Sequence, residues 1–560
     1  MSFLRKSACM AGALLAIASF AFGAGSSEST GAAPASGVPA ATAPRTGIKF
    51  TPPVEMKLVL GTTEAFRKGE TVNDNVLTRW ALERLGIKMT YLWESTTNNS
   101  AYENKIRLEL AAGSAMPDIL YLNAGSQLLI SDLISSGIFR EAGSLFDAYA
   151  SEGWKKAMAQ EPTAFLPYTV AGKRMGVPVL DFAMHQESVM TVRQDWLDKL
   201  GLKAPTTLAE LEAVFDAFTN KDPDGNGKKD TYGMALSLRD GFSNSYAYAG
   251  WLFGMFGTLN GSWNDWNGDG ALEYGSVMPG AKQALSYLRS WMAKGYLHKE
   301  VGLWDGQKAQ ELIANGQAGV FFAPRWAHSV IEAPMKNDPS VKWKSYPLPV
   351  GPTGKVMRHA STAVHGVWLI NKNFKTPEAF FAYQNYMMDN YASPSVGGEF
   401  ENGMFEGYDY IMVDGKVSTS NNAFPKDAPR IRPYKHSLDS NGARIPYQRL
   451  EAYSKIYNKE PLVLPYDIKE AAGAKFYDIE VGAITLAQRA VRKENLFVGM
   501  PTATMQSVGE LMNKLEQETF LKIVYSEEPL DAFDAFVKRW SELGGTKVTE
   551  EVNAWYKSTK

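Results

Sequence analysis

Short apolar strands and amphipathic helices alternate from Val54 onward, and this alternation restricts the fold more than any other feature. Strand patterns cover 56–60, 87–91 and 117–121, and a helix pattern lies in each of the two gaps, the second ending at Gly113. Strand–helix–strand–helix–strand at this spacing is typical of βαβ units with right-handed crossovers. The chain is therefore expected to adopt an α/β fold with a mostly parallel sheet.

The first residues have the pattern of a secretory signal peptide. Arg5 and Lys6 precede an uncharged apolar run from Met10 to Phe22, and small residues then surround Gly23. The run is too short to span a membrane as a helix, which favours a signal peptide over 1–23. Residues 24–51 are rich in Ala, Ser, Gly, Pro and Thr, so we expect a flexible linker.

Cysteine use and net charge exclude several classes of protein. Cys9 is the only cysteine and precedes the apolar run, whereas a lipid-modified cysteine would follow it, so a lipoprotein anchor is not expected. The mature chain is then free of disulfides and thiolate sites, and its expected location is periplasmic or extracellular. The formal charge is −2 for the whole chain and −4 without Arg5 and Lys6. Such a balance argues against nucleic acid or an anionic membrane as the partner.

A loop with the spacing of a calcium site follows the predicted helix that begins after the capping box Thr207–Glu210. Gly227 stands at position 6, where the loop bends sharply, and Gly233 replaces the bidentate glutamate of position 12. Five oxygen donors occupy positions 1, 3, 5, 7 and 9: Asp222, Asp224, Asn226, the carbonyl of Lys228, and Asp230. The pattern predicts a structural Ca²⁺ site; the alternative is a solvated turn built by Asp, Asn and Gly.

Known catalytic motifs were sought and none was found. The sequence has no Gly-x-Ser-x-Gly elbow, P-loop or HExxH motif, and its six histidines are scattered. Acid pairs such as Glu300/Asp305 or Glu401/Glu406 would suit a glycosidase, but 60 acidic residues produce such pairs by chance. We therefore predict that the chain is not an enzyme. A secreted glycoside hydrolase or polysaccharide lyase is the catalytic alternative, and a calcium-stabilised adhesion module is the structural one.

The chain resembles the extracellular solute-binding proteins of ABC transporters, in the carbohydrate-type family that includes alginate-oligosaccharide-binding proteins. The resemblance is most specific in VRQDWLDKLGL at 192–202, PTTL at 205–208 and DPDGNGKKDTYG at 222–233. Weaker similarity covers 112–118, 269–274 and other stretches along the mature chain. Membership in this family would fit the signal peptide, the calcium loop and the high content of aromatic residues.

The resemblance implies the periplasmic-binding-protein fold, in which two α/β lobes close on a ligand held in the cleft between them. On this basis we assign 52–183 and 357–400 to lobe 1, and 184–356 and 401–560 to lobe 2 with the C-terminal helices. The implied function is the extracytoplasmic solute-binding component of an ABC importer, acting as a monomer that delivers its ligand to the permease. An oligosaccharide is the expected ligand, with glycan-derived acids and peptides left open.

Candidate ligand-binding residues come from strand ends that would face the cleft, and from tryptophans suited to stacking on sugar rings. Asn123 follows the third predicted strand of lobe 1, and Arg325 and Trp326 follow the predicted strand 320–322 of lobe 2. Trp251 and Trp368 are further candidates. For each tryptophan the alternative is packing in a hydrophobic core.

Overall fold

The computed structural model describes residues 49–243 and 246–560. The predicted signal peptide and residues 24–48 of the predicted linker lie outside the described residues. The helices, numbered in chain order, are α1 Val76–Leu85, α2 Ala101–Ala111, α3 Gln127–Ser135, α4 Gly143–Tyr149, α5 Glu152–Met158, α6 Gln194–Leu200, α7 Leu208–Asn220, α8 Gly250–Gly254, α9 Pro279–Ala293, α10 Gly306–Ala314, α11 His328–Asn337, α12 Glu378–Tyr386, α13 Gln448–Tyr457, α14 Pro465–Gly473, α15 Phe476–Ala487, α16 Ala503–Val524, α17 Ala532–Trp540 and α18 Thr546–Ser558.

The strands are mostly short and spread over the whole described chain. They are β1 Val54–Gly61, β2 Ile87–Ser95, β3 Ile119–Asn123, β4 Thr169–Val170, β5 Lys173–Arg174, β6 Val177–Leu180, β7 Val189–Arg193, β8 Tyr232–Met234, β9 Trp263–Asn264, β10 Glu273–Tyr274, β11 Ala318–Ala323, β12 Trp343–Tyr346, β13 Arg358–His359, β14 Val364–Ile370, β15 Ile411–Val413, β16 Lys416–Ser418 and β17 Arg492–Lys493. None of the described helices is long and apolar enough to cross a membrane.

The central strands of the first lobe form two adjoining sheets, β1-β2 and β3-β14-β6. β1 and β2 pair in parallel, as the sequence predicts, and β1 adjoins β3 where the Asp118 N–H donates to the Lys57 carbonyl at 2.8 Å. β14 lies between β3 and β6 and runs antiparallel to both. The expectation of a mostly parallel sheet is therefore wrong here. β14 reaches the sheet from the other lobe and not through a crossover helix, so nothing imposes the parallel direction on it.

The second lobe has a sheet in the order β12-β7-β11-β8. β7 is antiparallel to both β12 and β11, while β11 and β8 are parallel. Helix α7 packs beside β8 and begins at the predicted capping box, in which the Thr207 hydroxyl accepts from the Glu210 N–H. Strand β11 is buried along its whole length, and it leads directly into the single turn Arg325–Ala327.

Two large hydrophobic cores lie on either side of the central region. The first extends from Met56 to Leu180 and takes in Trp368 and helix α12, while the second extends from Val189 to Phe322 and includes the C-terminal helices. Met404 and Leu438 pack in the first core. Segment 401–438, assigned above to lobe 2, therefore lies against the first lobe, which favours a boundary near residue 440 over one at 401.

The chain passes between the two cores in three segments, 181–188, 347–363 and 439–447. Backbone hydrogen bonds join them side by side. The Asp181 N–H donates to the Ala363 carbonyl at 2.8 Å, and the Ala183 N–H donates to the Pro446 carbonyl at 2.7 Å. The lobe boundaries assigned from the sequence also imply a third crossing, but they place it near residue 400 instead of at 439–447.

A buried group of charges, which we call the hinge cluster, ties these crossings together. Glu187 is 1 % exposed and pairs with Arg358 at 2.8 Å and with Arg492 at 3.1 Å. The Glu187 carboxylate also accepts from the Ser361 N–H at 3.1 Å, and Arg492 pairs in addition with Glu494 at 3.3 Å. The cluster thus balances two arginines with two carboxylates at the point where the lobes meet.

Candidate functional site

A cavity of about 240 Å³ opens between the two lobes, beside the first and third crossings. Loops of the first lobe form one wall, helices α13 and α14 form the other, and Phe182 of the first crossing lies between them. The lining residues combine aromatic rings with charged and amide side chains: Phe182, Tyr391, Ala392, Asn402, Gly403, Asp409, Thr419, Arg430, Tyr434, Asn441, Ala443, Arg444, Gln448, Arg449, Tyr466, Lys469, Glu470 and Gly473. We refer to it as the interlobe cavity.

Helices α13 and α14 carry the second wall because they are anchored to the second lobe through α15. Helix α15 packs on both α13 and the sheet strands β7 and β12, and its residues Tyr477 and Val481 belong to the second core. Leu450 and Ala452 of α13 are buried. Gln448 and Arg449, on the same helix, are therefore held at the cavity by a fixed backbone.

Cationic side chains lie over aromatic rings in the cavity. The Arg449 guanidinium lies 3.7 Å from the centroid of the Phe182 ring, and Arg444 lies 5.0 Å from the same ring. The Lys469 ammonium lies 5.5 Å from the Tyr391 ring and 5.4 Å from the Tyr466 ring. Aromatic faces of this kind stack on the C–H surfaces of sugar rings, while guanidinium groups donate hydrogen bonds to ligand oxygens.

Only part of this positive charge is neutralised within the protein. Arg449 pairs with Glu470 at 3.3 Å, and Arg444 pairs with Asp181. Burial acts to raise the pKa of Asp181, but Arg444, His185 and His365 together lower it to about 2, so this carboxyl stays ionised. Burial lowers the pKa of Lys469, which has no carboxylate within ion-pairing distance among the described residues.

Several buried polar atoms in and beside the cavity have no hydrogen-bond partner among the described residues. They are Gln448 Oε1, Arg449 Nε and, on the second lobe, Arg325 Nε. An unsatisfied buried donor or acceptor costs about 1–3 kcal/mol, so such atoms are rare unless a ligand or water completes them. Their position at one cavity marks it as a binding site for a polar ligand.

Arg325 follows the end of β11 and lies near the interlobe cavity without lining it. It is 6 % exposed, its Nη2 lies 2.9 Å from His185 Nδ1, and it lies 5.8 Å from the Tyr453 ring. Burial and the neighbouring Arg325 charge lower the pKa of His185 to about 3. His185 is therefore a neutral imidazole that accepts from the guanidinium.

Asn123 lies at the end of β3, paired with Gly366 of β14, and its side chain is exposed. The amide oxygen accepts from the Gly125 N–H at 2.9 Å. Asn123 does not line the interlobe cavity, but its strand neighbour Tyr121 stacks on His365, which faces Asp181 at 3.8 Å. The strand end is thus close to the crossings.

The three tryptophans lie in different surroundings. Trp251 is 1 % exposed and stacks on Phe322 with 3.9 Å between ring centroids, and Trp368 is 3 % exposed and packs edge-on against Trp154 and Phe380. A solute has no access to either ring in this conformation. Trp326 is half-buried beside Tyr246, outside the cavity, and its Nε1 has no hydrogen-bond partner among the described residues.

None of the residues that line the cavity was among the predicted ligand-binding residues, and all but Phe182 come from loops and helices between 391 and 473. One local signal was present. Residues 430–436 read RIRPYKH, an interleaving of basic and aromatic side chains without any apolar periodicity. Such a composition is typical of a binding surface, although Ile431 is buried and Tyr434 also packs against the first core.

The predicted calcium loop forms a tight turn closed by its own side chains. The Asp222 carboxylate accepts from the N–H groups of Gly225, Asn226 and Gly227, each at 3.1 Å. Gly227 has φ +74°, as the bend at position 6 requires. The Asn226 amide nitrogen lies 2.7 Å from Asp224 Oδ2 and 3.2 Å from Asp230 Oδ1.

The donor set of this loop fits a hard cation chemically. Burial, the hydrogen bond with Asp222 and the nearby charge of Asp230 raise the pKa of Asp224, as expected where carboxylates lie close together. Their oxygens converge on the Asn226 side chain from two directions. Over 49–243 and 246–560, however, no three acidic or histidine side chains are already arranged as a metal-binding group.

Comparison with known proteins identifies the class. The model of the bacterial extracellular solute-binding protein family matches residues 67–390, more than half of the chain. The chain therefore belongs to this family, which confirms the resemblance seen in the sequence and the expected extracellular location. The two-lobed α/β fold is confirmed as well.

Three relatives illustrate the similarity. The polygalacturonan/rhamnogalacturonan-binding protein YtcQ of Bacillus subtilis is 24 % identical over 462 residues, which are 82 % of this chain and 84 % of that protein. A solute-binding protein of Bifidobacterium longum infantis, described as binding HMO and associated with an ABC transporter, has a TM-score of 0.66 at 17 % identity, covering 90 % of this chain and 98 % of that chain. An EF-hand mutant of the Streptococcus pneumoniae ABC-transporter substrate-binding protein FusA, in complex with fructo-nystose, has a TM-score of 0.59 at 16 % identity, covering 90 % and 99 %. At these identities the structural likeness shows the fold.

Proposed function

We propose that this protein captures an oligosaccharide outside the cytoplasmic membrane and delivers it to the permease of an ABC importer. The observation that carries the proposal is the interlobe cavity, where aromatic rings from both lobes lie close to unsatisfied buried polar atoms of helix α13. Saccharides offer the matching surfaces, since their C–H faces stack on rings and their oxygens accept hydrogen bonds. The carbohydrate ligands named for YtcQ and FusA support the same class of ligand.

Ligand capture would shift the protein toward a closed form. A solute that contacts Arg449 on one wall and Tyr434 or Arg430 on the other stabilises the conformation in which both walls are close. Arg325, with its free Nε, would add a contact from the second lobe. The permease would then recognise the closed pair of lobes, with the protein acting as a monomer.

Binding without turnover separates this proposal from the catalytic alternative. A thermal-shift screen with oligosaccharides is the first test, because a ligand at 100 times its Kd stabilises the native state by about 2.7 kcal/mol. Small-angle scattering of the saturated protein should show a smaller radius of gyration than the apo form. Cleavage of a bound oligosaccharide by the purified protein would instead favour a glycoside hydrolase or lyase.

Calcium at the loop 222–230 is part of the proposal. Asp222, Asp224, Asn226, the Lys228 carbonyl and Asp230 would hold it, after a rotation of the Asn226 side chain that turns its amide oxygen toward the carboxylates. A bound Ca²⁺ would neutralise their repulsion and fix the connection between α7 and β8. The EF-hand named for FusA supports a site of this kind.

A further inference from the structure

We infer that the ligand of the interlobe cavity is an acidic oligosaccharide, one whose sugar rings carry carboxylates. The inference rests on the proposed function and names the chemical class of its ligand. Three observations carry it: an excess of positive charge, a surplus of unused hydrogen-bond donors, and a second basic cavity that shares a wall with the first.

The charge excess is visible in the cavity lining. Arg430, Arg444, Arg449 and Lys469 face two carboxylates, those of Asp409 and Glu470. The Asp409 carboxylate is already engaged by the Met404 and Phe405 N–H groups, both at 2.8 Å, and Asp181 neutralises Arg444 from just outside. Lys435, whose ammonium donates to the lining residue Asn441 at 3.2 Å, adds another cation behind the wall.

The unused groups are mainly donors. Arg430 donates only through Nε, to the Asp409 carbonyl at 3.0 Å, and its Nη groups have no partner among the described residues. Arg449 Nε is also free, and the Lys469 ammonium lies over two aromatic rings and has no hydrogen-bond partner among the described residues. A neutral sugar presents hydroxyls that both donate and accept, whereas a carboxylate only accepts and matches a guanidinium fork in geometry. The donor surplus therefore favours a carboxylate-bearing ligand.

The second cavity, of about 580 Å³, lies on the other side of Arg430. Its cations are Arg67, Lys68, Arg430 and Arg432, against the two carboxylates of Glu64 and Asp427. Arg432 pairs with Glu64 at 2.5 Å, while Lys68 is exposed without a counter-charge within ion-pairing distance among the described residues. Because one arginine borders both cavities, a chain of acidic sugars can occupy them in succession, which a single sugar cannot do.

The test compares three ligands, of which the first two have the same sugar rings and differ in whether the carboxyl groups are charged. Calorimetric titration of the full chain would use tetragalacturonate and its fully methyl-esterified form, which keeps the rings and removes the carboxylates. A sulfated galactan fragment of similar length is the third ligand. We expect tetragalacturonate to bind more tightly than its ester by at least about tenfold, and its affinity to fall as salt increases.

Two substitutions test whether the preference for tetragalacturonate arises in the interlobe cavity. Arg430→Gln and Lys469→Met should each weaken tetragalacturonate by about 10- to 100-fold while changing the affinity for the ester little. Lys336→Gln, at an exposed lysine of α11 outside both cavities, gives a matched loss of charge and should leave both affinities unchanged. Melting curves of each variant show that it is folded.

The outcomes distinguish failure of the acidic-sugar inference from failure of the proposed function. Equal or tighter binding of the ester, or binding of the sulfated fragment alone, would overturn the acidic-sugar inference and leave oligosaccharide capture standing. Binding of none of the three, nor of any oligosaccharide in the thermal-shift screen, would overturn the proposed function itself. Loss of tetragalacturonate affinity in both cavity variants, with Lys336→Gln unaffected, would support the inference.

Discussion

The hinge cluster and the interlobe cavity contain the same kinds of side chain but use them differently. In the hinge cluster, Glu187 lies between Arg358 and Arg492, and the remaining charge of Arg492 meets Glu494. In the cavity, cations outnumber carboxylates, and Lys469 lies over two aromatic rings without a carboxylate within ion-pairing distance among the described residues. Charges that are balanced inside the protein serve its stability, and charges that are left unbalanced are available to a ligand.

The largest effect is expected in the hinge cluster. Glu187→Gln would leave the buried Arg358 without its counter-charge, and breaking a buried pair in this way costs about 3–5 kcal/mol. Thermal or urea unfolding measures the loss. Glu152→Gln removes the same charge from an exposed pair with Lys155 and should change the free energy of unfolding by less than about 1 kcal/mol. Equal effects of the two substitutions would show that the hinge cluster carries no special stability.

The calcium loop is a third arrangement of charges. Its carboxylates lie close together, and a bound cation would neutralise them. Removing Ca²⁺ with a chelator should lower the free energy of unfolding by about 2–3 kcal/mol when the free ion had been near 100 times its Kd. Asp224→Ala should abolish this response. Asp240→Ala, at an exposed Asp-Gly turn in which Phe242 stands where the second oxygen ligand would be needed, should keep it. A melting temperature indifferent to the chelator would mean that the loop is a solvated turn.

Lys469→Met should change the free energy of unfolding in the opposite direction to Glu187→Gln. The Lys469 charge is partly buried without a carboxylate partner among the described residues, so replacing it with an apolar chain of similar length removes a desolvation cost. We expect the apo protein to keep its stability or gain up to about 1 kcal/mol. A loss as large as that of Glu187→Gln would show that Lys469 belongs to the structural charges.

The smallest effect on stability is expected for the pair formed by His328 and Asp478. His328 Nδ1 lies 2.8 Å from Asp478 Oδ1, and this hydrogen bond raises the pKa of His328 above its ordinary value of 6.5. The stabilisation is therefore complete below pH 6.5 and is lost as the pH rises through the raised pKa. Because the side chain is about one-third exposed, we expect about 0.5 kcal/mol. His328→Gln should remove this part of the pH dependence of unfolding, and an unchanged profile would contradict the assignment.

Local features were predictable from the sequence, and features that depend on distant packing were not. The capping box at Thr207, the strand ending at Asn123 and the arrival of Arg325 after β11 all follow from patterns within about ten residues, and the structure contains each of them. The direction of β14 depends on a chain that has visited the other lobe, so no local pattern encodes it.

The residues of the ligand site also depend on distant packing, which local sequence patterns do not encode. Trp251 and Trp326 were both candidates from the sequence, yet Trp251 is covered by Phe322 and Trp326 is half-buried. The cavity itself joins Phe182 to residues more than 200 positions away in the chain. Its side chains lie on loops without hydrophobic periodicity, so only the composition of 430–436 could have drawn attention to them.

The three crossings have a mechanical consequence. Two lobes joined by a single segment of chain can rotate about any axis. Here three segments lie side by side, with backbone hydrogen bonds from Asp181 to Ala363 and from Ala183 to Pro446. A hinge of three bonded segments bends about one axis and resists twisting. Opening and closing would then follow one path, so that the two walls meet in the same register each time and the same atoms return to the same ligand.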